Sequence, residues 1–328
     1  MRNLLIADTG AERLIEPLTA LKDHINLYIM QSGGKLTFNG EQVDPAEADI
    51  HLGWFSRDVV AADYTREYAV QMLKAQNLQW VQSLSAGLDD PFFTKLAQKQ
   101  IRLSNSNAQA PAIAEYVIAS VLERYQDFVV RRQHQNDKLW QDNDFRELYN
   151  SNWLVIGYGN IGQRVGERAK AFEANVTGVK RSVTTLPGAD KIITYPDVLD
   201  ALADQDIVVL ACALTDDTRD MVDQAFLSRM KANSILVNIG RGDLVIEDAL
   251  LSSLDEGAID YAVLDVFRQE PLPEDSPFWH HPRVLVTPHS SNRGLGTNER
   301  GDDLFLHNLK ALVHGDTMQN EVDVSSLV

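Results

Sequence analysis

The feature that most restricts this chain is a turn. Gly157-Tyr158-Gly159-Asn160-Ile161-Gly162 sits between a short apolar run at 153–156 and a helical pattern at 163–172. Gly157 permits a tight turn, Gly159 lets backbone approach a pyrophosphate, and Gly162 lets a helix lie close to a strand. The first helical N–H groups, around Asn160 and Ile161, then face an anion with the helix dipole behind them. Glycine-rich turns are common, so the pattern takes its meaning from its surroundings. Apolar runs recur at 153–156, 175–179, 207–211, 234–238, 259–264 and 284–286, with helical stretches at 163–172, 223–230 and 247–256 between them. Val and Ile dominate the runs, and several are apolar on both faces, as in parallel strands covered by helices on both sides. Asp223 is placed to cap the second helix and Gly257 to close the third. The repeat predicts a doubly wound α/β fold that binds a dinucleotide.

A weaker alternation precedes it. Runs at 4–7, 26–29, 50–53 and 79–83 read as strands, and 57–76 and 91–99 as helices. Pro111 opens a long helix whose apolar face carries Ile113, Val117, Val121, Leu122 and Val129, long enough to pass between two domains. The stretch 297–314 is helical again, with Leu304, Leu309, Leu312 and Val313 on one side, and 269–282, rich in Pro and His, reads as a surface loop. With 328 residues the chain suits two domains, each with its own core.

Charge narrows the function. The formal net charge is −17, opposite to what phosphate neutralisation on nucleic acid or binding to an anionic membrane requires. Cys212 is the only cysteine, so no internal disulfide forms, in keeping with a reducing compartment. No run reaches the roughly 18 apolar residues of a membrane span. The expectation is a cytoplasmic protein with no metal site.

The end of the second strand of the 153–287 region selects the dinucleotide. NAD sites place Asp or Glu about 20 residues after the glycines to accept from the ribose 2′-OH. Here Lys180-Arg181-Ser182 follows Gly178-Val179 instead. A 2′-phosphate suits an Arg fork beside a hydroxyl, so NADP(H) is preferred, with NAD(H) the alternative.

Polar residues follow three strands. Arg241 lies in Asn238-Ile239-Gly240-Arg241-Gly242, Glu270 follows Leu264-Asp265-Val266-Phe267, and His289 follows Thr287-Pro288. Ligands of open α/β sheets bind beyond the carboxyl ends of strands, which brings the three to one crevice. Hydride arriving at a ketone carbon leaves negative charge on oxygen. Protonated His289 can neutralise it, Glu270 can orient the ring, and Arg241 can bind a substrate carboxylate. Taken singly, the Arg is equally a structural ion-pair donor and the His a turn residue.

Together these motifs resemble the D-isomer-specific 2-hydroxyacid dehydrogenases, in the glyoxylate/hydroxypyruvate reductase branch. The resemblance runs from Trp153 to Ser291, through Ala213-Leu214-Thr215-Asp216-Asp217-Thr218-Arg219 and the Arg, Glu and His signatures. It implies two doubly wound parallel-sheet (Rossmann/flavodoxin-like) domains with the active site in the cleft between them. Residues 1–104 and 294–328 would form a discontinuous substrate domain and 105–293 the dinucleotide domain. It further implies Arg241, Glu270 and His289 as catalytic residues, and a substrate loop Ser85-Ala86-Gly87. The cofactor contacts it implies are Thr218, Ile239, Gly240 and Asp265, the last on the nicotinamide carboxamide. Trp54 is either a wall of the substrate pocket or core. The segment around Trp140 resembles the family's dimer arm, implying a homodimer in which this Trp reaches the neighbouring site. Cys212-Ala213 departs from the usual Leu-Pro, which leaves the adenosine contacts open. The activity implied is NADPH-dependent reduction of a small 2-oxo acid to the D-2-hydroxy acid. The alternatives are an NAD(H)-dependent dehydrogenase of another substrate and a dinucleotide-sensing binding protein of corepressor type.

Overall fold

The computed structural model describes residues 1–328, which divide into two compact units, Met1–Gln109 with Leu295–Val328, and Ala110–Gly294. No helix is long and apolar enough to cross a membrane.

The first unit is built on strands β1 (Arg2–Ala7), β2 (Ile25–Met30), β3 (Leu36–Phe38), β4 (Glu41–Val43), β5 (Leu52–Phe55), β6 (Trp80–Ser83), β7 (Arg102–Ser104) and β15 (Glu321–Val322). They form one sheet in the order β15-β7-β6-β5-β1-β2-β3-β4. The central five are parallel; β3, β4 and β15 pair antiparallel at the edges. The β3–β4 hairpin was not expected, although its signal is present: Asn39 and Gly40 both take positive φ, as a type I′ turn demands. Along β1, Leu5 and Ala7 enter one apolar cluster while Leu4 and Ile6 enter another. The sheet is therefore covered on both faces, and burying each such Leu or Ile stabilises the unit by about 1.5–3 kcal/mol. The helix Thr297–His314 packs Leu304, Phe305, Leu309 and Leu312 onto this sheet.

Residues 105–109 belong to this unit rather than to the next. The Asn105 N–H donates to Asn320 O at 3.0 Å, the Ser106 N–H to Ser85 O at 2.9 Å, and Arg300 Nε to Ala108 O at 2.8 Å. Two expected helices are each interrupted. The 57–76 stretch becomes Arg57–Ala61 and Thr65–Lys74, separated at Asp63 with φ 56°. In the second unit, the helix opened near Pro111 runs Ala110–Tyr125 and stops at left-handed Asp127. A separate helix, Phe128–Asn136, then exposes Val129 to 70%, so Val129 is not on the apolar face assigned to it.

The second unit carries β8 (Asn152–Ile156), β9 (Asn175–Val179), β10 (Lys191–Ile193), β11 (Ile207–Leu210), β12 (Ile235–Asn238), β13 (Tyr261–Leu264) and β14 (Val284–Val286). All are parallel, in the order β10-β9-β8-β11-β12-β13-β14. Leu154, Ile156, Val208 and Leu210 face one cluster; Trp153, Val155, Ile207 and Val209 face the opposite one. Chain order reverses between β8 and β11, the position at which a doubly wound sheet opens a crevice.

Candidate active site

The glycine turn leaves β8 at that crevice. Gly157 has φ +94°, and a Cβ there would lie 2.3 Å from Cys212 N, so the segment following β11 passes against it. A Cβ on Gly162 would lie 2.4 Å from Gly157 O, which holds the helix Asn160–Ala171 close to its strand. Gly159 faces open space, and Asn160 is exposed at the helix start. The cavity beyond it measures about 490 Å³ and is lined by Gly157, Gly159, Lys180, Arg181, Ser182, Tyr195, Cys212 and Thr218 among others. Backbone donors at one end and two cations at the other fit a dinucleotide phosphate chain. Neither cation is engaged in an ion pair within the chain. Thr218 Oγ1 accepts from the Thr215 N–H at 2.8 Å and donates to Ala213 O at 2.8 Å, shaping the rim.

Tyr158 also lines this cavity, while its ring packs under Gly178 and Gly166 and its hydroxyl donates to Pro187 O at 3.0 Å. Ile239 is buried in the apolar cluster and offers only backbone. Tyr195, which the motif reading missed, stands in the cavity wall beside Cys212. Burial pushes the Cys212 thiol up to about 11 and the Tyr195 phenol up to about 12, so both stay protonated near neutrality.

The Arg241, Glu270 and His289 segments follow the carboxyl ends of β12, β13 and β14. His289 Nδ1 lies 2.8 Å from Glu270 Oε2, and Glu270 Oε1 accepts from the Phe267 N–H at 3.0 Å. The carboxylate is thus fixed before it engages the ring, and Nε2 is the ring nitrogen left for a substrate. Both side chains are half exposed, at 41% and 37%.

Asp265 is engaged with the loop that follows β14. Its carboxylate is 1% exposed and accepts from Thr287 Oγ1 at 2.6 Å, the Ser290 N–H at 2.8 Å, the Ser291 N–H at 3.1 Å and the Ser291 hydroxyl. In this structure it secures the loop bearing His289. Asp265 O also accepts from the His289 N–H at 2.8 Å, which pins a residue whose φ is +48°.

Arg241 follows β12. Buried Asn238, which the sequence reading did not single out, shapes this turn: its Nδ2 donates to Arg241 O at 2.9 Å and its Oδ1 accepts from the Gly240 N–H at 3.1 Å. A Cβ on Gly242 would lie 1.9 Å from Phe267 C, so this glycine lets the Arg segment lie on the Glu segment. Arg241 Nη1 donates to Gly240 O at 2.8 Å.

The Ser85-Ala86-Gly87 loop lies in the first unit. It is held by Ser83 Oγ on the Ser85 N–H at 3.0 Å and by Asn105 Nδ2 on Ala86 O at 2.8 Å. The N–H groups of Ala86 and Gly87 have no acceptor within the chain. For Trp54 the sequence offered two places, pocket wall and core. It is 1% exposed and stacked on Phe305 at 4.9 Å and 2°, and Trp80 also lies parallel to Phe305 at 6.2 Å. It is core of the first unit, and its Nε1 has no partner.

A phosphate-binding turn at the switch point of a parallel sheet, with a carboxylate–imidazole dyad at neighbouring strand ends, defines a nicotinamide-dependent oxidoreductase. Comparison with known proteins gives the family. Residues 118–291 match the family model described as D-isomer specific 2-hydroxyacid dehydrogenase, NAD binding domain. The chain is 32% identical over 251 residues to glyoxylate/hydroxypyruvate reductase A from Arabidopsis thaliana, covering 75% of this chain and 79% of that one. A D-isomer specific 2-hydroxyacid dehydrogenase family protein from Aeromonas salmonicida superimposes with a TM-score of 0.78 at 28% identity, covering 98% and 99% of the two chains. An NADPH-dependent glyoxylate/hydroxypyruvate reductase from Sinorhizobium meliloti, solved with NADP and sulfate, shares the fold with a TM-score of 0.78 at 21% identity, covering 100% and 99%. The chain belongs to the D-isomer specific 2-hydroxyacid dehydrogenases and is an NAD(P)-dependent enzyme of that family.

Proposed function

We propose that this enzyme uses NADPH to reduce a short 2-oxo acid, of the size of glyoxylate or hydroxypyruvate, to the D-2-hydroxy acid. The observation that carries the reading is the His289–Glu270 contact of 2.8 Å, held at strand ends on the sheet that also carries the glycine turn. Gly157, Gly159, Asn160 and Ile161 would hold the pyrophosphate, and Lys180, Arg181 and Ser182 the 2′-phosphate. When bound, the nicotinamide supplies the hydride. His289 gives its proton from Nε2 to the carbonyl oxygen as charge develops there, and Glu270 stabilises the imidazolium beforehand; general acid help of this kind contributes about 10²–10⁴-fold. Arg241 and the N–H groups of Ala86 and Gly87 bind the substrate carboxylate. The likeness to the Arabidopsis reductase supports the substrate class.

A homodimer completes the proposal. Val129, Leu139, Trp140, Phe145 and Tyr149 are exposed along 128–149, with Trp140 fully so, a run of apolar surface that a second copy would cover. The single cysteine supports a cytoplasmic setting. The test is NADPH oxidation with glyoxylate, hydroxypyruvate and bulkier 2-oxo acids, for wild type and Arg241→Ala. Rapid turnover that the variant loses supports the reading; no turnover across the panel overturns it.

A further inference from the structure

We propose that Tyr116 is a positioning residue for the proton donor, acting through Thr287 and Asp265 on the loop that presents His289. It rests on the reading of His289 as the acid. Tyr116 lies in the middle of the helix Ala110–Tyr125, far in sequence from the catalytic motifs, and its hydroxyl is 2.8 Å from Thr287 Oγ1. The direction of that bond follows from chemistry. Thr287 Oγ1 has one proton and gives it to Asp265 Oδ1 at 2.6 Å, so Tyr116 donates and Thr287 accepts. Burial, then the nearby Asp265 carboxylate, push the Tyr116 phenol up to about 12, so the donor keeps its proton across the working range.

The chain of bonds ends where geometry is demanding. Asp265 takes the Ser290 and Ser291 N–H groups, and its own carbonyl takes the His289 N–H. His289 sits at φ +48°, a conformation that L side chains hold only when neighbours impose it. In the chain Tyr116→Thr287→Asp265, the bond that Thr287 accepts polarises its hydroxyl and makes it a stronger donor, which holds the carboxylate at one position. The imidazole then meets Glu270 at one distance, and Nε2 keeps one direction. A shift of an ångström at such a group is costly to catalysis even when folding survives.

Three variants test this: Tyr116→Phe, Thr287→Val and Thr287→Ser, each assayed for kcat and KM and by amide hydrogen exchange across 287–291. Losing one bond of the chain is expected to lower kcat about three- to tenfold in Tyr116→Phe and Thr287→Val. The KM for NADPH should stay within about twofold, exchange at Ser290 and Ser291 should quicken, and Thr287→Ser should keep wild-type values. The double variant Tyr116→Phe/Thr287→Val should be no worse than Thr287→Val alone, because the two residues act in series. Wild-type kcat and exchange in Tyr116→Phe overturn the proposal, as do additive losses in the double variant. Exchange needs no substrate. Quickened exchange in an enzyme with no 2-oxo acid turnover would overturn the proposed reaction and keep the relay; turnover with unchanged exchange would overturn the relay alone.

Discussion

Arg181→Ala is the sharpest perturbation of the cofactor assignment. Arg181 is exposed on the rim of the 490 Å³ cavity, next to Lys180 and Ser182, and has no ion pair within the chain. Removing it therefore strands no partner in the free enzyme, and the loss falls on the ligand. A charge-assisted hydrogen bond contributes about 1.5–3 kcal/mol, and exposure to solvent places this one near the lower end. With about 1.4 kcal/mol per tenfold, NADPH affinity should fall roughly ten- to thirtyfold. NADH lacks the phosphate, so its affinity should stay within about twofold. Titration of both cofactors by calorimetry, at two salt concentrations, gives the comparison. Added salt should weaken NADPH binding in wild type more than in the variant, because screening acts on the same contact. Equal weakening of both cofactors would mean that Arg181 supports the loop and reads no phosphate. No change for NADPH would remove the 2′-phosphate assignment altogether.

Glu270→Gln keeps a neutral partner for His289 Nδ1 and removes the charge. A hydrogen bond to a charged group contributes about 1 kcal/mol more than one to a neutral group, so kcat should fall about five- to tenfold with the substrate KM little changed; steady-state kinetics check this. Trp54→Ala should destabilise the first unit by about 3–5 kcal/mol through the cavity left against Phe305, read by denaturant unfolding. A change in substrate KM with full stability would instead make Trp54 a pocket wall. The pair Arg13–Asp58, at 2.8 Å, gives an acid-sensitive contact in the same unit. Burial alone would raise the Asp58 carboxyl, but hydrogen bonds from Arg13 and Ser56 outweigh it and hold it below its usual 3.8. A depressed carboxyl contributes stability above its unfolded value and loses it as pH falls below that value. Asp58→Asn should therefore be less stable than wild type at pH 7, with the difference shrinking below pH 3.8, followed by circular dichroism.

Much of the second unit was legible because its signals are local. The apolar runs are short, uniformly Val- and Ile-rich and regularly spaced, so β8, β9, β11, β12 and β14 fall within a residue of expectation. The Asp223 cap accepts from the Phe226 N–H at 2.8 Å, and Gly257 takes a positive φ, both as their chemistry implies. Elsewhere the local signal was weak or silent. No period announces the break at Asp127, because Phe128, Val129 and Val130 extend the helical pattern while the left-handed Asp turns their faces outward.

The sequence by itself determined which chemistry this protein can perform. The glycine turn and the placement of Arg241, Glu270 and His289 after strands are written in order along the chain, and Lys180-Arg181-Ser182 states the charge offered to the ribose. Tertiary structure decided which side chain holds which. Asp265 anchors the His289 loop as well, through donors 22–26 residues away that no local pattern announces. Trp54 became core when Phe305, from the far end of the chain, stacked on it. Tyr116 carries no motif at all, and Asn238 stands in the sequence only as the opening residue of the Arg segment, with no role attached. A hydrogen bond belongs to two groups brought together by folding, and a residue type read alone names only what it can donate or accept.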